Sequence, residues 1–294
     1  LGGIAAVNAG GSLRIKYGAM ENLVLGLEAV TAEGKIINYG GKMIKNVAGY
    51  DLRKLFIGSW GTLGVITKIT LKIFPLPEKA LSLTYYTEDY QVFLNYIWAV
   101  QEKDVQLTGF DFGVKDDQYY MHLLISGQNE AVIRQAEILT KLFKELNLSE
   151  KLQPVEEKED PYLNSGKGFY QKYFSQNETK FIIKSSLLFS HIPNWLKTIK
   201  IIQGRENLSL SGFRSGGIFY TFFSGDDISL DTMEEISLFL TECLPDGIHT
   251  AYDLNMKKTR EEGNIFNQGI NKDIKESLDP DQLFLPGRNP GLFL

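Results

Sequence analysis

Cysteine is nearly missing: Cys243 stands alone in 294 residues. That excludes an internal disulfide framework and any iron–sulfur cluster held by this chain by itself. Met233, Ile236 and Leu240 share a helical face with Cys243, which predicts a buried thiol rather than a nucleophile. Histidine is almost as scarce. His122, His191 and His249 stand isolated, with no H-x-E or H-E-x-x-H spacing and no cysteine partner, so packed or surface histidines are expected rather than metal ligands. A Ser-His-Asp triad cannot be assembled from them. No apolar run reaches the roughly 18 residues that a membrane span needs, and no signal-peptide pattern opens the chain. Basic charge is not in excess: 31 Lys and Arg face 36 Asp and Glu, a net −5, which argues against nucleic acid as a partner. There is no P-loop, and "GSWGTLG" leads into a strand rather than a helix, so the Rossmann fingerprint fails as well. A cytoplasmic protein is expected, with peripheral attachment at the inner membrane face as an option.

What the chain does have is glycine, unevenly placed. Thirteen of its 28 glycines fall in residues 1–75, concentrated in "LGGIAAVNAGG" and "GGKMIKNVAGYDLRKLFIGSWGTLGVIT". Each costs backbone entropy on ordering. Either these glycines let the main chain touch a pyrophosphate or a flavin edge, or they only form tight β-turns, and composition leaves both open. The chain begins at Leu1, in a stretch that reads as the middle of a domain, so a fragment or a processed product is expected.

Composition shifts near Pro75 and Pro77. Before them, short apolar runs read as strands joined by tight turns, the last being "GVITKITLKIF". Its alternation sets Val65, Thr67, Ile69, Leu71 and Ile73 on one face, against Ile66, Lys68, Thr70 and Lys72. After Pro77 the order becomes β-α-β-β-α, then repeats from "TKFIIKSSLLF" onward. Two such passes predict an antiparallel sheet backed by helices, the ferredoxin-like plan. The expected fold class is α+β, with domains at 1–75, 76–264 and a C-terminal helix and tail at 265–294. "PVEEKEDPYLNSGKG" reads as a solvated linker between the passes.

The two glycine segments, in the ordered series "NAGG", "YG", "VLGLE", "GGK", "KNVAGYDL" and "LFIGSWGTLGVIT", resemble the second half of the FAD-binding domain of the vanillyl-alcohol-oxidase/PCMH flavoproteins. The glycolate oxidase and D-lactate dehydrogenase branch is the nearest likeness, and its shorter FAD-binding subunit the nearest of all. The tail "LDPDQLFLPGR" resembles the family ending that returns to the flavin domain. The resemblance implies FAD as cofactor, held largely by backbone at Gly2, Gly3, Asn8, Gly10, Gly11, Tyr17, Gly18, Gly61, Gly64 and Ile66. Asn46, Gly49, Tyr50 and Asp51 match a motif at the same site, expected to shape it rather than to react. It further implies oxidation of a 2-hydroxy acid such as glycolate or D-lactate by hydride transfer to flavin. The implied partners are a catalytic flavoprotein subunit and an iron–sulfur subunit.

The sequence also departs from the family pattern. The N-terminal half of the flavin domain would precede Leu1, and without it FAD is expected to bind weakly or not at all. The H-G-D-G-N and E-H-G stretches of the catalytic branch do not occur, and Trp60 stands where that branch carries glutamate. The catalytic residues are therefore unknown, and a non-catalytic structural subunit is the competing expectation. On the substrate side, Lys184 on a central strand and Arg214 after the last hairpin turn are candidates to hold a carboxylate; the alternative is that both are solvated strand charges. Tyr85, Tyr86, Phe110, Phe112, Tyr119 and Tyr120 are expected to pack the sheet.

Overall fold

The structure, a computed structural model, describes residues 1–42, 50–115, 118–145, 149–153, 179–206, 209–215, 217–224, 230–253, 259–262 and 268–284. The chain divides into two compact units. One comprises Leu1–Gly10, Tyr17–Pro75 and Asn264–Leu294, the other Gly11–Lys16 and Leu76–Gly263.

In the first unit the apolar runs before Pro75 form strands β1 (Val24–Val30), β2 (Ile36–Gly40) and β3 (Val65–Leu71), in the order β2-β1-β3. Short helices α1 (Gly2–Ala6), α2 (Arg14–Tyr17), α3 (Met20–Leu23) and α4 (Arg53–Phe56) complete its N-terminal part, α2 straddling the division between the units. The simple alternation expected along β3 does not hold. Glu28 lies opposite Lys68 while Ala29 lies opposite Ile66, so Thr67 is an extra residue and the phase slips there. Ile66 and Ile69, three apart, consequently both pack toward the core of Ala5, Leu27, Ala29, Phe56 and Leu63, and Val65 is left 52% exposed. Helix α9 (Gln268–Leu278) adds Ile274 and Leu278 to the same core.

The second unit holds the two repeated passes. The first is β4 (Lys79–Thr87), α5 (Tyr90–Glu102), β5 (Gly109–Lys115), β6 (Gln118–Gly127), α6 (Asn129–Glu145) and β7 (Ser149–Gln153). The second is β8 (Thr179–Ser186), α7 (Ile192–Glu206), β9 (Ser209–Ser215), β10 (Ile218–Ser224), α8 (Leu230–Cys243) and β11 (Ile248–Asp253), followed by β12 (Thr259–Glu262). Asp89 opens α5: its carboxylate accepts the Gln91 and Val92 N–H groups at 2.7 and 3.0 Å, which satisfies two orphan donors of the first turn. Among the described residues the strands form one antiparallel sheet, β12-β11-β8-β10-β9-β5-β6-β4-β7, in which β5 and β9 join the two passes. β7 and β12 have no counterpart in the sequence reading. "SEKLQ" and "TREE" carry little apolar signal, as suits the outermost strands of a sheet.

One sheet face is apolar and packs on the helices. Leu83, Tyr85, Phe110, Phe112, Tyr119 and Phe219 meet Phe93, Ile97, Leu139, Phe143, Trp195 and Leu240 in a single core. Cys243 is half-buried at the margin of that core rather than inside it. Directly opposite residues share a face. The pairing therefore traces Asp111, His122 and Thr84 across β5, β6 and β4 on the other, more polar face. Ser12 donates its hydroxyl to the buried Asp111 carboxylate, and Lys16 Nζ donates to the Ser126 carbonyl at 2.9 Å. These bonds seat residues 11–16 in this unit, although the glycine-rich segment of the sequence runs straight through them.

His122 is 8% exposed, and its Nδ1 lies 2.9 Å from Thr84 Oγ1. Burial pushes its pKa down to about 4, so the ring is neutral at pH 7. An unfolded chain, with histidine at its ordinary value, binds the proton more readily between about pH 4 and 6.5. Stability is thus full above that window and falls as pH drops through it. We expect wild-type protein to lose about 2 kcal/mol more than His122→Asn on going from about pH 7.5 to about pH 5, read from denaturant midpoints. Equal losses in the two proteins would contradict a neutral buried ring.

Candidate functional site

The glycine-rich segments of the first unit meet at α1 and the turn of residues 58–64. The Ala5 and Ala6 carbonyls at the end of α1 accept the Gly58 and Trp60 N–H groups at 3.2 and 2.8 Å. Trp60 and Gly61 follow each other with φ of 55° and 75°. For tryptophan this left-handed conformation costs on the order of 1–3 kcal/mol and must be imposed by its surroundings. Ser59 and Thr62, both buried, impose it. Ser59 Oγ donates to the Phe56 carbonyl at 2.8 Å and accepts the Gly61 N–H at 3.3 Å, while Thr62 Oγ1 donates to the Ser59 carbonyl at 2.6 Å. Tertiary bonds thus fix the turn's shape.

The sequence candidates fall into two groups. A Cβ on Gly3 or Gly61 would meet nothing within 4 Å, so bare backbone there borders open space. Gly2, Gly18 and Gly64 are glycine for the chain's own packing. A Cβ on Gly64 would lie 2.7 Å from the Val30 carbonyl, on Gly18 2.5 Å from Asn22 Oδ1, and on Gly2 3.1 Å from the Ile66 carbonyl. Ile66 is part of the core wall. Asn8 (φ 46°) uses its Oδ1 to accept the Glu21 N–H, and the Tyr17 ring lies 4.8 Å from that of Phe74. Gly10 is half-buried. Gly11 has open space around its Cβ position but belongs to the second unit. Asn46 and Gly49 lie outside the described residues. Tyr50 is 95% exposed, and Asp51 takes a two-fold hydrogen bond from Arg53, both distances 2.7 Å. That hydrogen bond, against burial, holds the Asp51 carboxyl below its ordinary range, while Arg53 Nη1 braces the Val24 carbonyl at 2.6 Å. Asp51 is thereby engaged in holding α4 against β1.

In the second unit Lys184 is half-buried on β8, opposite Tyr220 on one side and Thr250 on the other. Arg214 lies on β9, ahead of the hairpin turn and not after it, because β9 runs to Ser215. Its ladder partner is Phe219, which pairs in turn with Ser185, one residue out of phase with the row of Lys184. Lys184 and Arg214 therefore stand one residue out of phase along the strand ladder. The sequence reading missed the Ser12–Asp111 and Lys275–Asp279 pairs. A carboxylate between two phenylalanines in "GFDFG", and Lys-Asp at i,i+4 in "KESLD", were the available signals.

Residues 1–40 match the model of a family described as an FAD binding domain. Glycolate oxidase subunit GlcD of Bacillus subtilis is 27% identical over 98% of this chain and 67% of its own length. The D-lactate dehydrogenase of Archaeoglobus fulgidus is 60% identical, but over only 26% of this chain and 17% of that protein. Glycolate oxidase subunit GlcE of Escherichia coli is 45% identical over 28% of this chain and 23% of its own length. Among solved structures, a VAO-type flavoprotein of Myceliophthora thermophila superposes with a TM-score of 0.65 over 96% of this chain and 59% of that one, at 15% identity. The chain thus spans about two thirds or less of the length of each of these relatives. The resemblance to the vanillyl-alcohol-oxidase/PCMH superfamily is borne out, and with it the α+β PCMH-type fold and FAD as its cofactor. The residues present fit that group: Gly3 and Gly61, open positions on segments hydrogen-bonded to each other's neighbours, include one inside the matched stretch, Gly3.

The two kinds of glycine separate on substitution. Gly64→Ala should cost about 1–3 kcal/mol, since neither the Val30 carbonyl nor Phe56 can yield cheaply. Gly3→Ala should stabilise the FAD-free protein by up to about 1 kcal/mol, as alanine is the better helix former and has room. Thermal unfolding of both variants without FAD checks this, and a destabilised Gly3→Ala would mean that its backbone is not open.

Proposed function

We propose that the chain is the major part of an FAD-dependent oxidoreductase subunit that oxidises a 2-hydroxy acid such as glycolate or D-lactate. The observation that carries this reading is the likeness to GlcD, which runs through both units and not the glycine-rich segments alone. FAD, when bound, accepts the electron pair released as the carbinol carbon becomes a carbonyl. In this reading α1 and the 58–64 turn hold the flavin through main chain, with Gly3 and Gly61 leaving room for it. Of the residues named for FAD in the sequence reading, Gly3 and Gly61 approach the cofactor, while Gly2, Gly18, Gly64 and Ile66 set the shape behind it. Lys184 supplies a cation for the substrate carboxylate; no residue is assigned as general base. The subunit names of GlcD and GlcE support assembly with further subunits, and the family likeness adds a catalytic flavoprotein and an iron–sulfur subunit as the partners. No helix among the described residues is long and apolar enough to cross a membrane. A second reading, a structural subunit without its own turnover, is favoured by Trp60 and by the missing histidine motifs.

Full-length protein loaded with FAD should show flavin absorbance that bleaches anaerobically on adding glycolate or D-lactate. Gly3→Ala should weaken FAD binding about tenfold despite its better fold, and Lys184→Met should raise KM far more than it lowers kcat. Protein that takes up no flavin refutes the proposal. A bound flavin that no hydroxy acid bleaches, with or without partner subunits, favours the structural reading.

A further inference from the structure

We infer that Lys275, on the C-terminal helix, is a positioning residue for the flavin: its buried ammonium holds the 58–64 turn at Thr62, beyond the residues 58 and 60 that α1 holds. The inference rests on the FAD reading given above. Lys275 is 3% exposed and Asp279 fully buried. The ammonium has three N–H donors, and all three are used. One goes to Asp279 Oδ2, one to the Phe284 carbonyl at 2.9 Å, and one to the Thr62 carbonyl at 2.7 Å, 213 residues earlier in the chain. Asp279 in turn accepts the Leu283 and Phe284 N–H groups, each at 2.9 Å. Burial alone would push the Asp279 carboxyl up, but the Lys275 ammonium and these two N–H groups outweigh it and hold it below its ordinary value.

The bond to Thr62 is the informative one. Winding the tail around Asp279 needs only the other two. The third reaches the last residue of the Ser59–Thr62 hydrogen-bonded turn, next to the left-handed pair Trp60 and Gly61. That turn is bonded to α1 on its other flank, within the stretch matched as FAD binding. A main-chain geometry that costs energy in isolation is thus clamped from both sides, and the C-terminal clamp is a charge-assisted bond in a dry setting. Substitution of Lys275 should free the turn to relax, and the open backbone at Gly61 with it.

The test uses the full-length protein. Lys275→Met should raise the FAD dissociation constant at least tenfold and alter the visible circular dichroism of the bound flavin. Leu278→Ala, which removes packing of the same helix on the core of Leu27, Phe56 and Leu63 but keeps the Lys275–Thr62 bond, should lower the melting temperature while leaving FAD affinity and dichroism unchanged. If the buried carboxylate left by the single change prevents folding, Lys275→Met/Asp279→Asn removes both charges together and should show the same loss of affinity. Wild-type affinity and dichroism in either Lys275 variant would overturn the inference, as would an equal loss of affinity in Leu278→Ala. A wild-type protein that takes up no FAD would instead remove the functional reading on which the inference stands.

Discussion

A tryptophan held at φ 55° directly before a glycine at 75° is a conformation that the chain would not adopt by itself, and the first unit is arranged to hold it. The Ala5 and Ala6 carbonyls fix one flank, Ser59 and Thr62 fix the interior, and Lys275 fixes the other flank. Residues 5–6, 58–62 and 275 therefore depend on one another through a handful of hydrogen bonds. Strain of this kind persists where the surroundings over-determine it, most often at sites that must present backbone to a ligand. The clustered glycines also differ in surroundings: a Cβ at Gly64 would strike the Val30 carbonyl, whereas one at Gly3 would meet nothing within 4 Å.

The second unit answers a different constraint. Its sheet buries one face under four helices, and the other face carries Asp111, His122, Thr84 and Lys184. Polar groups on a sheet face are costly to bury unless satisfied, and the structure satisfies several. Asp111 is met by Ser12, His122 by Thr84, and on the helix side His249 by Ser185 at 2.9 Å and the Leu244 carbonyl at 3.0 Å. Burial holds both His122 and His249 neutral at pH 7. Both rings are packed in the sheet and make stability depend on pH.

Much of the fold was legible because periodicity reports burial. The two β-α-β-β-α passes, the hairpins and the helical stripe through Val132, Ala136, Leu139 and Phe143 all follow from spacing alone. Where the reading slipped, tertiary pairing overrode local pattern. The bulge at Thr67 moves Ile66 into register with Ile69, which no alternation rule reveals. β7 and β12 are edge strands with almost no apolar content. The candidate site was legible as a region, through its glycines, but not in its division of labour. Which glycine faces space and which faces a carbonyl is a matter of distances, as Gly3 and Gly64 show. Lys184 and Arg214 looked equivalent in sequence, and only the strand pairing shows that their ladder positions differ in phase by one residue.

If the main chain of α1 and the 58–64 turn lies against the flavin nucleotide, as proposed, hydrogen–deuterium exchange of the full-length protein with and without FAD will report it. FAD should slow exchange at residues 2–6 and 58–64 and leave the helices of the second unit unchanged. Protection by FAD that leaves both of those segments exchanging as before would contradict the account.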